Sequence, residues 1–322
     1  MPARREEQLL IDAARMYYLE GLDQKVVGDR LGLSRSSVSR VLTAARRAGI
    51  VQVRIKGVDQ VTRCPWLEDE IAKRFSLSDI YVANTHNRFS EMEAVAEIGA
   101  QIFADRAPHV QQIGFSWGRT IGALIEAIDD VKLHRDIVFA PLVGGMPTVD
   151  GGLSGNSYIQ RVAGQFGARA IRFDAPAIVE SEATWKALIH ESSVTTTIEK
   201  LSETQLAFVG IGSYGVQTSA KLVEAMHFSP SERQMIAQMN PVGDMCSVFY
   251  DRDGQICGPP LSRRVIGIGL ERLAAIDTVI GLAAGADKVH GLIGALKTGC
   301  LTVLVIDDIL AQALLDEGGK HE

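Results

Sequence analysis

The densest chemistry in the chain lies in one short stretch, Gly114-Phe-Ser-Trp-Gly-Arg-Thr120. It follows an apolar run that reads as a strand and opens a segment that reads as a helix, whose first N–H groups lack partners. Such a turn suits an anion. Ser116 and Thr120 add hydroxyl donors and Arg119 a positive charge, although a tight turn capped by Thr120 would leave the same residues. Lys288, in Ala284-Gly-Ala-Asp-Lys288, opens another helix after another apolar run, where its charge would meet a phosphate at the same sheet edge. Glycines in Pro141-Leu-Val-Gly-Gly145 and Gly210-Ile-Gly-Ser213 permit close backbone approach to a ligand, and plain backbone geometry accounts for them equally well. Tyr250-Asp-Arg-Asp-Gly254 supplies carboxylates for sugar hydroxyls, or a simple hairpin turn.

No Ser-His-Asp order, catalytic carboxylate pair or His/Cys cluster stands out, so neither an enzyme nor a metal or other cofactor is expected. Cys64, Cys246, Cys257 and Cys300 show no metal-ligand spacing and no disulfide framework, which fits a reducing cytosol. The Gly267-Ile-Gly269 pair lacks the third glycine and the acid of a dinucleotide fingerprint. His109, His134, His190 and His227 sit in polar or amphipathic surroundings and read as surface residues.

A second cluster has a different chemistry. Between Gln24 and Ile55, Val26, Val27 and Leu31 form one apolar side of a short helix that runs into Gly32. Ser34 then caps a second helix. Val38, Val41, Leu42 and Ala45 face inward, leaving Arg35, Ser36, Ser37, Ser39 and Arg40 outward as groups that reach bases and phosphates. From Leu31 to Val58 there is no Asp or Glu, while Arg35, Arg40, Arg46, Arg47, Arg54 and Lys56 are basic. A polyanion meets no like charge along this surface. Gly49 stops the helix and Val51 to Ile55 reads as a strand, which together make a winged helix-turn-helix. Any amphipathic hairpin has a solvated, often basic side; here the cap, the Gly turn, the acid-free run and the strand coincide.

The elements that position these clusters follow from periodicity. Leu9, Leu10, Ala13, Met16 and Tyr17 place a supporting helix over Glu6 to Leu19. Pro65 and Trp66 begin an amphipathic connecting helix. From Asp79 onward, apolar runs at 80–83, 113–116, 137–143, 170–173, 206–212, 246–250, 278–284 and 301–306 alternate with helical patterns such as Met92 to Asp105, Thr120 to Ile128 and Lys288 to Leu296. That alternation predicts a largely parallel, Rossmann-like α/β sheet covered on both faces.

The 322 residues, 46% of them hydrophobic, exceed one ordinary domain. The expected division is a DNA-binding domain over 1–57, a linker and connecting helix over 58–78, and a ligand-binding and oligomerisation domain over 79–322. Residues 1–56 carry eleven Lys/Arg against six Asp/Glu, a surplus of five, so the net charge of −6 leaves −11 on the remainder. A basic head on an acidic body suits a protein that presents only its head to DNA. No secretory apolar core follows Met1 to Arg5 and no uncharged run is long enough to span a bilayer, so a soluble intracellular protein with no membrane partner is expected.

The motifs LGLSRSSVSRVL, GFSWGRT, PLVGG, VGIGS, GDMCSVFYDRDG, RVIGIGLERL and AAGADKVHGLIGALKTGCLTVLVIDD occur in this order. From about Leu9 to about Leu315 the chain resembles the SorC/DeoR-type sugar-binding transcriptional regulators of bacteria. The resemblance implies a winged helix-turn-helix joined to an effector domain related to glucosamine-6-phosphate deaminases and ribose-5-phosphate isomerases. It implies a phosphorylated sugar or polyol as effector, and dimers or tetramers on palindromic double-stranded operators. By the same resemblance Ser116, Gly118 and Thr120 line the phosphate site, with Gly144, Gly145, Asn156, Gly212, Asp251 and Lys288 around the rest of the ligand. Ala284 before Gly285 and Ile306 before Asp307 depart from the family's usual residues. The effector fold also supports catalysis, so a sugar-phosphate isomerase or deaminase with a DNA-binding head is the alternative.

Overall fold

The structure, a computed structural model, describes the chain apart from residues 1, 49, 52–60, 76, 78, 86–88, 130, 146–154 and 319–322, and apart from the side chains of residues 2–7, 47 and 318. It divides into two compact units, Met1–Gln60 and Val61–Glu322.

In the first unit, α1 (Pro2–Ala14) continues into a π-helical turn, Arg15–Leu19, followed by α2 (Gln24–Leu31) and α3 (Arg35–Arg47). Local chemistry sets the boundaries. Asp23 accepts from the Lys25 and Val26 N–H groups at 2.8 and 2.9 Å, Gly32 closes α2 in the left-handed region, and Ser34 accepts from Ser37 N–H at 3.1 Å. Gly28 lets the turn approach: a Cβ there would lie 2.5 Å from the Leu33 carbonyl oxygen. Ala13, Val27, Val38 and Leu42 form the small core, with Ala45 also buried. The helix expected over Glu6 to Leu19 therefore starts earlier, and its end is wound as a π-turn. α3 ends at Arg47 with Ala48 as its cap. Gly49, the Arg47 side chain, Arg54 and all but the first residue of the expected wing strand lie outside the described residues.

The second unit is built on parallel strands β1 (Asp79–Ala83), β2 (Gln112–Phe115), β3 (Val138–Pro141), β4 (Arg169–Ala170), β5 (Leu206–Ser213), β8 (Thr278–Ala283) and β9 (Val303–Asp307), in the order β1-β9-β8-β5-β2-β3-β4. The antiparallel strands β6 (Gly243–Met245) and β7 (Val248–Tyr250) extend from the end of β5. Its helices are α4 (Pro65–Arg74), α5 (Glu91–Arg106), α6 (Arg119–Ala127), α7 (Gly155–Phe166), α8 (Glu182–Ile189), α9 (Ser192–Leu201), α10 (Gln217–Ala225), α11 (Pro230–Met239), α12 (Leu270–Leu273), α13 (Val289–Lys297) and α14 (Asp308–Gly318).

Alternate residues of β5 serve opposite faces, which is why its sequence is apolar throughout. Leu206 and Phe208 join Phe103, Phe115 and Phe139 in one core, while Ala207, Val209 and Ile211 join the other. The chain thus has α/β architecture with helices on both sides of a parallel sheet. Among the described residues no helix is long and apolar enough to cross a membrane.

Three expectations change. The run 170–173 contributes only Ala170 to a strand, after which the chain is irregular. The run 246–250 is broken at its start, because Cys246 and Ser247, at φ 50° and 64°, form the two-residue turn between β6 and β7. The segment read as a connecting helix, α4, packs inside the second unit, where Leu67 and Ile71 are buried. Arg63 grips both carboxylate oxygens of Glu68 at 2.8 and 2.6 Å, and Glu68 accepts from Val82 N–H at 2.9 Å, so α4 is tied to β1.

Candidate functional site

Chain connections leave β2 toward β3 on one side, and the chain later returns to β5 on the other, so the strand order reverses between β2 and β5. A crevice outside the carboxyl ends of two such strands is where open α/β sheets take ligands. The cleft found there is lined by Trp117, Gly118, Arg119 and Thr120 after β2, Gly210 to Gly212 of β5, Gln217 to Ser219 at the start of α10, Asp244, Cys246 and Ser247 of the β6–β7 hairpin, and Lys288 after β8.

Specific contacts hold several of the lining groups. Gly118 caps α6 at φ 121°, a conformation closed to most side chains, and turns the helix N-terminus into the cleft. Trp117 Nε1 donates to Ser247 Oγ at 3.1 Å, fixing the hairpin over the β2 turn. Lys288 ends a one-turn 3₁₀ helix, Ala286–Lys288. The buried Asp307 carboxylate supports that turn, accepting from Gly285 N–H at 2.7 Å and from Leu310 N–H at 3.0 Å. Burial pulls the Lys288 ammonium below its ordinary value, opposed by Asp287 and Asp244 and reinforced by Arg119.

Asp244 is the buried acid of the cleft. It pairs with Gly212 in the β5–β6 register, and a Cβ on Gly212 would lie 2.2 Å from its Oδ1, so only glycine lets the carboxyl sit there. Burial pushes the Asp244 carboxyl up to about 6, against the opposing pull of Ser219 and the Lys288 charge. Ser219 lies close enough to the Asp244 carboxyl to favour its charged form, yet Asp244 Oδ1 and Ser219 Oγ are buried without a hydrogen bond of normal geometry to any protein group. Unpaired buried acceptors and donors are costly, and a ligand hydroxyl would satisfy both.

Gly118, Arg119, Thr120, Gly212 and Lys288 therefore meet in one cleft. The other expected ligand residues are engaged elsewhere. Ser116 is buried, and its Oγ accepts from Gly210 N–H at 3.0 Å. Asn156 clamps the Phe173 backbone, accepting from its N–H at 3.1 Å and donating to its carbonyl at 3.0 Å. Gly144 packs where a Cβ would lie 2.5 Å from Ala175 O, and Gly145 exchanges backbone bonds with Ala175 and Ala177. Asp251 is a turn residue, accepting from Asp253 and Gln255 N–H at 2.9 Å each, and it does not line this cleft.

Asp244, Ser219 and Gln217 were missed. Asp244 lies inside the GDMCSVFYDRDG motif, but Cys-Ser is not a usual turn pair, so nothing local announces the hairpin that delivers it. His109, His134, His190 and His227 are exposed, and among the described residues no His, Cys, Asp or Glu side chains converge as a metal site.

In the first unit, Arg35, Ser36, Ser39, Arg40 and Arg46 are exposed along α3. Ser37 is half-buried and accepts from Arg40 Nη2 at 3.4 Å, while the Ser34 hydroxyl serves the helix cap.

Residues 59–316 match the family model described as "Putative sugar-binding domain". The chain is 26% identical over 311 residues to the sorbitol operon regulator of Klebsiella pneumoniae, covering 96% of this chain and 98% of that protein. It is 28% identical over 318 residues to the erythritol catabolism regulatory protein EryD of Brucella abortus (strain 2308), covering 98% of each. The crystal structure of the full-length sorbitol operon regulator SorC from Klebsiella pneumoniae superposes with a TM-score of 0.70 at 26% identity, over 97% of this chain and 99% of that one. These relatives are regulators of transcription, not enzymes.

Proposed function

The chain belongs to the SorC/DeoR family of sugar-binding transcriptional regulators, and on that premise we propose that it is a DNA-binding regulator of carbohydrate or polyol catabolism genes, controlled by a phosphorylated sugar or polyol bound in the cleft of the second unit. The observation that carries this reading is the composition of that cleft. A helix N-terminus, Arg119 and Lys288 attract a phosphate, and the buried Asp244 and Ser219, neither with a hydrogen bond of normal geometry, offer partners to hydroxyls. Two relatives named for sorbitol and erythritol support a polyol class.

In the first unit, Arg35, Ser36, Ser39 and Arg40 of α3 enter the major groove, and Arg46, Arg47 and Arg54 contact phosphates, Arg54 from a wing. The protein works in the cytoplasm as a dimer or tetramer on a palindromic operator, as two-fold half-sites require. Effector binding alters how two second units pack and hence the spacing of the DNA-reading helices, a coupling of about 1–3 kcal/mol.

The test is a thermal-shift screen against phosphorylated sugars and polyols and their free forms, followed by operator gel shifts with each compound that stabilises the protein. Stabilisation by phosphorylated compounds that also changes operator affinity is the expected result. Turnover of any of them by the purified protein would replace this reading with an enzymatic one, in which Asp244 is the base.

A further inference from the structure

Accepting the phosphate reading of the cleft, on which this inference rests, we propose that Gln217 is a positioning residue that competes with the effector phosphate for Arg119 and so sets how tightly the phosphate is held. Arg119 Nη1 donates to Gln217 Oε1 at 3.0 Å, and Gln217 Nε2 donates to Asp287 Oδ2 at 2.6 Å. One carboxamide thus joins the first residue of α6, the first residue of α10 and the turn that carries Lys288. These elements follow β2, β5 and β8, three neighbouring strands, so the bridge spans the edge of the sheet beside the cleft. Arg119, Gln217 and Lys288 all line that cleft.

The backbone supports the same role. Gln217 has φ 45°, a left-handed conformation that side-chain-bearing residues seldom adopt, and it follows the Gly215 turn at φ 74°. Side-chain amides are neutral acceptors. A phosphate dianion binds a guanidinium through two charge-assisted bonds and outcompetes a single amide oxygen. All three bridge residues are exposed, so water weakens the bridge and an incoming anion can break it. When Arg119 turns to the phosphate, Gln217 keeps only its bond to Asp287, and the tie between the β2 and β8 turns is released. Gln217 therefore holds Arg119 in a position from which a phosphate must recruit it, and that competition lowers phosphate affinity.

Isothermal titration of the full-length protein with inorganic phosphate at low ionic strength tests this, using Gln217→Ala, Gln217→Glu and each change in an Arg119→Ala background. Gln217→Ala is expected to tighten phosphate binding about threefold, as loss of an exposed competing bond permits. Gln217→Glu is expected to weaken it about tenfold, because a carboxylate holds Arg119 more firmly and repels the anion. In Arg119→Ala protein, Gln217→Ala should change nothing. A residue that merely supports the fold would not give opposite signs for Ala and Glu. Weaker binding in Gln217→Ala would make Gln217 a direct phosphate donor and overturn the proposal, as would equal affinity in all three proteins. Failure of the wild-type chain to bind phosphate would count first against the phosphate reading itself, and with it against this inference.

Discussion

Ser116 Oγ accepts a hydrogen bond from Gly210 N–H at 3.0 Å, tying together the two strands, β2 and β5, between which the strand order reverses. The backbone continues the tie, with Ser116 N–H donating to Phe208 O at 2.9 Å. A hydroxyl expected to meet the ligand is spent on holding the cleft walls in register. Ser116→Ala would leave the half-buried Gly210 N–H without this acceptor, at a cost of about 1 kcal/mol. Urea unfolding is expected to show that loss, while affinity for a phosphorylated ligand falls far less than in a Lys288 variant. A large affinity loss without a stability loss would return Ser116 to the binding surface.

Lys288→Ala removes a half-buried charge from the cleft. Charge-assisted bonds of about 1.5–3 kcal/mol correspond to a drop in phosphate-ester affinity of roughly 10- to 100-fold. Operator affinity without effector should be unchanged, which gel shifts with and without the compound will read.

Asp244 makes stability depend on pH in a defined direction. Its carboxyl is raised from 3.8 to about 6, so between those values the folded state keeps a proton that the unfolded chain releases. Stability contributed by this group is full below the lower value and falls as pH rises toward the upper one, by at most about 3 kcal/mol. Asp307 is shifted the same way by burial and is present in wild type and variant alike. Asp244→Asn should therefore gain stability relative to wild type between pH 4.5 and pH 7. Denaturation curves showing a pH-independent difference would rule this out.

Arg35→Ala with Arg40→Ala removes two exposed cations from α3 while leaving the Val38, Leu42 and Ala45 side intact. The melting temperature should hold. Operator affinity should drop by about 1–3 kcal/mol for each arginine that pairs with a guanine. Unchanged promoter occupancy would show that α3 is not the reading helix.

How far a signal reaches along the chain decides whether a short stretch of sequence reveals it. The caps at Asp23 and Ser34 act within three residues, so α2 and α3 were legible. Apolar strands such as 206–212 and 301–306 announce themselves by unbroken runs, and the parallel sheet followed from their alternation with helices. Asn156 was placed by resemblance, yet both ends of its amide bind the Phe173 backbone, a partner 17 residues away that no local pattern reveals. Gln217 gave no signal, since its partners Arg119 and Asp287 lie 98 and 70 residues away.

The amino-acid sequence by itself determined the α/β class, the capped helical pair with its basic face, and the glycine-containing turns that follow the strands, because caps, periodicity and charge runs act over a few neighbouring residues. Only the tertiary structure decided which turn residues share a cleft. Asp244 reaches the turn after β2 because a hairpin pairs antiparallel with β5 against a residue that has no Cβ, and that packing depends on contacts between residues far apart in the chain.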